Sequence, residues 1–135
     1  MSLSPIYTKT IHIPDDAIDE NGHVNNVVYV QWMQDIAVEH YASIGGIEAQ
    51  GSDATWVVRE HKIEYLLPAF AGEEIEIRTW VENIRRVRSL RKYEFVRKSD
   101  GKTLVKGETD WVFVDVKTGS PRAVPEAVIE IFKIK

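Results

Sequence analysis

The segment DENGHVNNVVYVQWMQDIAVEHYASI, residues 19–44, decides the fold because it joins a polar loop to a long amphipathic helix. From residue 27 to residue 44 the apolar positions recur with helical spacing. The resulting stripe consists of Tyr29, Met33, Ile36, His40 and Ile44, widened by Trp32, Ala37 and Tyr41. Asn25 or Asn26 is a favourable N-cap, and Gly45-Gly46 is a favourable helix end. The helix therefore has one broad apolar face, which we expect to lie against a sheet.

The other periodic segments have the alternation of strands. Strands are predicted over residues 6–13, 56–67, 73–83, 90–98 and 103–116. The Asp100-Gly101 pair predicts a hairpin turn between the last two. Residues 125–132 are compatible with a short closing helix. One strand, a long helix and then four strands in a meander predict an α+β domain, with the helix packed on a largely antiparallel sheet of about five strands.

Length and composition limit the class of protein. The 135 residues predict one domain over residues 1–135, with the 44% hydrophobic and 28% charged content of ordinary globular proteins. A net charge of −4 argues against a nucleic-acid partner, and the absence of cysteine excludes disulfides and a cysteine nucleophile. The first residues lack the pattern of a signal peptide, and no apolar run is long enough to span a membrane. We therefore expect a cytoplasmic protein with no membrane partner.

Apolar residues on both faces of one strand suggest further burial. Trp80 lies on an otherwise polar strand face, and residues 111–114 are apolar on both faces. A single helix covers only part of a five-stranded sheet. We therefore expect dimerisation, through a sheet edge or a sheet face.

The loop before the helix carries the candidate chemistry. It places a carboxylate, a carboxamide and an imidazole at alternate positions, Asp19, Asn21 and His23. Backbone N–H groups at a helix start are unpaired and point at whatever precedes the helix. Acid and base side chains beside such donors could promote attack on a carbonyl and stabilise the oxyanion that forms.

Metal binding and ordinary turn chemistry are the alternatives for this loop. Asp, Asn and Gly are common turn residues, and Asp19 could serve a structural role alone. A calcium loop with Gly22 at its sixth position would put Ala17 and Val28 where carboxylates are required. The four histidines lack zinc-ligand spacing. We therefore predict no metal site.

A second candidate is the basic cluster between two predicted strands. Arg85, Arg86 and Arg88 concentrate positive charge in an acidic chain, and Ser89 follows them. A solvated hairpin end is the structural interpretation. The functional interpretation is a phosphate clamp, because guanidinium groups bind phosphates bidentately. The phosphates of coenzyme A would be suitable ligands.

These residues resemble the hot-dog-fold thioesterases, specifically the 4-hydroxybenzoyl-CoA thioesterase-like family, over nearly the whole chain. The run Asp19-x-Asn21-x-His23-Val24-Asn25-Asn26 is also similar to a segment of acyl-carrier-protein thioesterases. Weaker matches are Glu64-Tyr65-x-x-Pro68, Gly72-Glu73, Val87-Arg88-Ser89 and Gly119-Ser120-Pro121-Arg122-x-x-Pro125. Two positions depart from the family: Pro68-Ala69 replaces a further Glu or Cys, and Val87 replaces the turn glycine.

The resemblance implies a hot-dog fold, a homodimer or dimer of dimers with sites at the subunit interface, and hydrolysis of an acyl thioester. Asp19 would be the nucleophile or the general base, and backbone N–H groups near Asn26 the oxyanion donors. Asn21 and His23 would orient the substrate or assist proton transfer. No cofactor is implied beyond the coenzyme A of the substrate.

Four candidate functions are compatible with these residues. An acyl-CoA thioesterase leads, and an acyl-carrier-protein thioesterase is the nearest alternative. A hot-dog hydratase would place its histidine five residues after the aspartate, whereas His23 follows Asp19 by four. A non-catalytic acyl-thioester binding module is the last alternative.

Overall fold

A computed structural model describes residues 3–133 of the chain. Its elements follow in the order β1 (Tyr7–His12), a 3₁₀ turn (Asp15–Ala17), α1 (Asn26–Ser43), α2 (Gly46–Gln50), β2 (Ala54–Tyr65), β3 (Glu74–Arg85), β4 (Arg88–Arg97), β5 (Thr103–Asp115) and α3 (Glu126–Phe132). The predicted α+β architecture is confirmed: one long helix packs against a five-stranded antiparallel sheet. Strand and helix ends differ from the predicted ones by up to two residues. Two short elements were not predicted from the sequence, the 3₁₀ turn and α2.

The sheet has the strand order β1-β3-β4-β5-β2. The β3-β4-β5 part is a meander, as predicted, but β2 pairs with β5 from Ala54↔Asp115 to Tyr65↔Val105. The expectation that β2 would lie beside β3 is therefore wrong. Residues 66–73 carry the chain across the end of the sheet, where the Ala69 carbonyl accepts the Val24 N–H at 2.9 Å. The alternation within a strand identifies its buried face and leaves its neighbours open.

The apolar stripe of α1 forms the centre of the core, as its spacing predicted. The buried residues of the helix are Tyr29, Met33, Ile36, Ala37 and His40. They pack against inward-facing side chains of the sheet such as Phe95 and Leu104, both fully buried. No helix within residues 3–133 has the length and apolar character needed to cross a bilayer.

The two ends of α1 have local causes. Asn25 is the N-cap, and its Oδ1 accepts the Val27 N–H at 3.0 Å. Gly45 ends the helix in the left-handed region, with a φ of 84° that glycine adopts without steric cost. The same residue caps α2, so the predicted helix stop is also a helix start.

β2 is one edge of the sheet and is incompletely covered. Val57 and Tyr65 each expose 43% of their surface, and Leu66 and Leu67 continue the exposed apolar character after the strand. Among the described residues no strand pairs with its outer side, and such an edge can template another strand. This edge lies beside the candidate site.

Candidate active site

Backbone hydrogen bonds fold residues 18–25 back on themselves before α1 begins. Ile18 pairs with Val24, and the Ala17 carbonyl accepts the Asn25 N–H at 2.9 Å. Within the loop, the Asp19 N–H donates to the His23 carbonyl and the Gly22 N–H donates to the Asp19 carbonyl, both at 3.0 Å. These bonds hold Asp19 beside the start of the helix.

The Asp19 carboxylate has a structural partner of its own. Its Oδ1 accepts the Asn21 N–H at 2.9 Å, which closes an Asx turn. Its Oδ2 makes no hydrogen bond to residues 3–133, and the residue is half-buried. One carboxylate oxygen therefore shapes the turn while the other remains available for chemistry.

The first turn of α1 presents a free backbone donor. The Val27 N–H is bound by the Asn25 side chain, and the Val28 N–H donates to the Asn25 carbonyl at 3.0 Å. Within the described part of the chain, the Asn26 N–H has no hydrogen-bond acceptor. It also lies at the positive end of the helix dipole, where a developing negative charge is stabilised.

A groove of about 250 Å³ lies at the start of α1, with Asn26 in its lining. Its walls come from the motif, from α1 and from the end of β2: His23, Val24, Asn26, Tyr29, Tyr65, Leu66, Leu67 and Pro68. The His23 ring meets Phe70 edge-on, with ring centroids 6.4 Å apart. Of the predicted catalytic residues, the structure therefore brings His23 and Asn26 together in the groove. Asp19 and the exposed Asn21 lie on the adjoining loop and do not line it.

Tyr65 is a groove residue to which sequence reasoning gave no role. Its hydroxyl donates to the Asn26 carbonyl at 3.2 Å, which ties the end of β2 to the start of α1. Burial raises its pKa, so the hydroxyl stays protonated at neutral pH. The only signal in the sequence was its place in the Glu64-Tyr65-x-x-Pro68 motif. The neighbouring Tyr29 has its pKa raised to about 12, also by burial.

The basic cluster forms the turn between β3 and β4, as predicted. Arg85 pairs with Arg88 across the turn, and Arg86 has a left-handed φ of 53°. Backbone groups from other parts of the chain fix this turn. The Arg86 carbonyl accepts the Val124 N–H at 2.7 Å, and the Val87 carbonyl accepts the Phe113 N–H at 2.8 Å.

The four predicted phosphate ligands point in different directions. Arg85 and Arg88 line a groove of about 540 Å³ on the outer face of the sheet, together with Glu60, Glu108 and Asp110. Arg88 is ion-paired to Asp110, which also binds Arg59 at 3.1 Å. Arg86 is exposed in the turn, whereas Ser89 is buried on the inner face. A clamp built from all four side chains stays a prediction, and its residues share no single face.

Comparison with solved structures shows the same fold in thioesterases. The 1,4-dihydroxy-2-naphthoyl-CoA thioesterase from Synechocystis is 14% identical, with a TM-score of 0.84 over 95% of this chain and 96% of that one. A DHNA-CoA thioesterase from Staphylococcus aureus is 23% identical, with a TM-score of 0.77 over 87% and 80% of the two chains.

A hypothetical protein from Staphylococcus aureus, solved in complex with CoA, is 18% identical, with a TM-score of 0.84 over 97% and 83%. No curated protein matches the sequence.

The predicted hot-dog fold is confirmed by these structures. The family model that matches the chain is that of the thioesterase-like superfamily, and it spans residues 13–132. That range includes the whole loop before α1, the groove, the basic turn and α3. The chain belongs to the thioesterase-like superfamily, and the expected relationship to hot-dog thioesterases is confirmed.

Proposed function

We propose that the protein hydrolyses an acyl-CoA thioester to the free acid and CoA. The observation that carries this proposal is the Asn26 N–H at the start of α1. It has no acceptor within residues 3–133, and Asn26 lines the groove beside the Asp19 loop. The solved relative that holds CoA supports a CoA thioester as the substrate. The family match supports thioester hydrolysis as the reaction.

The chemistry requires few groups. The thioester oxygen would accept the Asn26 N–H, which stabilises the oxyanion as the carbonyl carbon becomes tetrahedral. Asp19 would either take a proton from the attacking water or attack the carbon itself, in which case water cleaves the resulting anhydride. In the first route the C–S bond breaks when the tetrahedral intermediate collapses. In the second it breaks as the anhydride forms, before water enters. In both routes the CoA thiolate takes up a proton. Because a thiolate is a good leaving group, the proposal includes no metal or other cofactor.

His23 and Asn21 have supporting roles in this proposal. His23 lines the groove and could hydrogen-bond the substrate or assist the transfer of a proton. Asn21 is exposed, and its backbone N–H fixes the Asp19 carboxylate. Arg85, Arg86 and Arg88 would meet the CoA phosphates, with Ser89 outside the exposed part of that surface.

The test is release of free thiol from a panel of acyl-CoA thioesters by wild type and Asp19→Asn. Asparagine keeps an Oδ1 for the Asx turn but removes the base and the nucleophile. Asp16→Asn is a matched control, because Asp16 is an exposed aspartate on the preceding 3₁₀ turn. We expect Asp19→Asn to lose about 10²–10⁴-fold in kcat, while the control keeps its rate. The proposal would be overturned if the wild-type protein hydrolysed none of the acyl-CoA substrates, or if Asp19→Asn kept full activity.

An acyl-carrier protein is the second candidate for the thiol carrier. The exposed Arg85 and Arg86 favour it, since carrier proteins are acidic and basic residues would steer their docking. Rates on matched acyl-CoA and acyl-carrier substrates decide between them, and a clear preference for CoA removes this candidate. Hydration of an enoyl-CoA without thiol release would instead indicate a hydratase, and tight binding without turnover a binding module.

A homodimer is part of the proposal. The free edge of β2 and the exposed apolar residues Val57, Tyr65, Leu66 and Leu67 support association there. A second copy at this edge would also enclose the groove, which lies at the end of β2. Sedimentation velocity of the wild-type protein measures the assembly and separates a dimer from a dimer of dimers. A monomer at all concentrations would contradict this part of the proposal.

A further inference from the structure

A second cavity lies between α1 and the other end of β2. It has a volume of about 70 Å³, and its apolar lining includes Val38, Trp56, Trp111 and Phe132. Two polar side chains from β4 also line it, Ser89 and Arg91. Neither the proposed hydrolysis nor the groove at the start of α1 uses this cavity.

Arg91 is the unusual member of the lining because it is a buried cation. Only 4% of its surface is exposed. Its Nη1 donates to His40 Nδ1 at 2.9 Å and to Thr79 Oγ1 at 3.1 Å. These are its side-chain hydrogen bonds to residues 3–133, and no carboxylate of that range lies within 4.0 Å of it.

The groups around Arg91 are uncharged. Burial, with the nearby Arg91 charge, lowers the pKa of His40 to about 4, so this imidazole is neutral at neutral pH. Thr79 is a hydroxyl that donates to the Lys92 carbonyl at 2.9 Å. Burial lowers the pKa of Arg91 itself to about 10, which leaves it charged at neutral pH. The Phe132 ring, 5.9 Å from the guanidinium carbon, offers partial compensation.

Other arginines of the sheet have the counter-charge that Arg91 lacks. Arg78 binds Glu76 at 2.8 Å, and Arg97 binds Glu73 at 3.0 Å. An unpaired charge is most costly where water is excluded, because the protein cannot replace its solvation. Within residues 3–133, Arg91 is the buried arginine that lines a cavity, and an anion bound there would supply its missing counter-charge.

We propose that this cavity binds the carboxylate group of a small aliphatic acid, with the carboxylate on Arg91 and the Ser89 hydroxyl and the hydrocarbon against Trp56 and Trp111. Carboxylates match the guanidinium fork. The volume of about 70 Å³ is about half that of an engineered cavity of about 150 Å³ that binds benzene, which favours a small ligand.

The carboxylate could come from two sources. One is a free short-chain acid, which requires nothing of the proposed function. The other is the distal carboxylate of a dicarboxylic acyl group, which rests on the proposed function. Ala37, in the cavity wall, lies 11 residues after Asn26 along α1, or about 16 Å at 1.5 Å per residue. An acyl group whose thioester oxygen accepts the Asn26 N–H would have to span that distance, so only a long-chain dicarboxylic acyl group could reach Arg91.

The first experiment measures binding by isothermal titration calorimetry of butyrate, with butyramide as the uncharged isostere. We expect saturable butyrate binding at least about tenfold tighter than that of butyramide, equal to about 1.4 kcal/mol. Arg91→Met should abolish this preference. Arg78→Met, which removes an arginine paired on the outer face, should leave it unchanged.

A second variant keeps the test independent of the stability of Arg91→Met. Val38 is 59% exposed and lines the cavity, so Val38→Trp should close its mouth without disturbing the core. We expect this variant to fold and to lose butyrate binding. Butyrate binding that survives in Val38→Trp and Arg91→Met would overturn the proposed free-acid site.

The second experiment identifies the source of the carboxylate. The ratio of kcat/KM for a long-chain dicarboxylic monoacyl-CoA over the plain acyl-CoA of equal length is compared between wild type and Arg91→Met. A preference of tenfold or more that disappears in Arg91→Met assigns the cavity to the substrate. Butyrate binding without that preference assigns it to a free acid.

Absence of both effects overturns the proposal. If no acyl-CoA is hydrolysed at all, the proposed function fails, while the calorimetry still decides whether the cavity binds carboxylates.

Discussion

The two ends of α1 place polar groups in opposite environments. At its start, the Asp19 loop and the Asn26 N–H lie at an open groove, and the donors there are mostly backbone atoms. Near its other end, His40 contacts the charged guanidinium of Arg91, which is buried among aromatic rings. The first arrangement suits a charge that forms and disappears during a reaction. The second suits a permanent counter-ion.

After the loss of Asp19, the largest expected effect on this comparison comes from removing the backbone donor at the start of α1. Asn26→Pro deletes the backbone N–H, and proline is favoured at the first position of a helix. Asn25 already has the extended conformation that proline requires of its predecessor, with φ −65° and ψ 133°. We expect kcat for the best acyl-CoA to fall about 10²–10³-fold, with the circular dichroism spectrum unchanged. Asn26→Ala, which keeps the N–H, should retain most of the rate, and an equal loss in both variants would contradict the role of the donor.

The glycines at the two ends differ in what they provide. A Cβ on Gly46 would lie 2.3 Å from the Tyr41 ring, whereas Gly22 has open space around it but a φ of 84°. Gly46→Ala should therefore cost up to about 3 kcal/mol through overpacking. Gly22→Asn should be nearly neutral, because asparagine tolerates the left-handed region. Urea unfolding of both variants measures the difference, and a Gly46→Ala protein as stable as wild type would show that Tyr41 can move.

The buried end should also make stability depend on pH. His40 has a pKa of about 4 in the folded protein and about 6.5 when unfolded, so the unfolded state takes up the proton first. Its contribution is complete above pH 6.5 and is lost as the pH falls toward 4. Between about pH 7 and pH 5 the loss should be about 2 kcal/mol. Urea unfolding of wild type and His40→Gln at both pH values isolates the contribution of His40 to the free energy of unfolding. Identical pH dependence in the two proteins would refute that contribution.

The smallest effect should follow from loosening the groove. Tyr65→Phe removes the hydroxyl that donates to the Asn26 carbonyl at 3.2 Å. A single exposed hydrogen bond contributes about 0.5–1.5 kcal/mol, so kcat/KM should fall by no more than about tenfold. Kinetics of Tyr65→Phe beside Tyr7→Phe, whose hydroxyl binds Glu39 away from the groove, provide the comparison. A much larger loss in Tyr65→Phe would indicate that the hydroxyl contacts the substrate.

Much of the fold was predictable because its signals are local. The spacing from Tyr29 to His40 gave the buried face of α1, and the alternation around Ile75 and Ile77 gave that of β3. The position of β2 beside β5 was not predictable, since its neighbours depend on how residues 66–73 cross the sheet. The loop of Asp19 was recognisable for the same local reason, because its residues and the helix start are adjacent in sequence.

The sequence by itself determined the amphipathic helix, the capping residue Asn25 and the run of polar groups from Asp19 to His23. Each depends on side chains within one or two turns of one another, where spacing alone fixes which atoms meet. Only the tertiary structure decided that Tyr65 binds the Asn26 carbonyl and that Arg91 is buried against His40, 51 positions away in the chain. On its strand, Arg91 is one cation in a basic segment. Burial, which the packing of α1 and α3 over β4 imposes, distinguishes it from its neighbours.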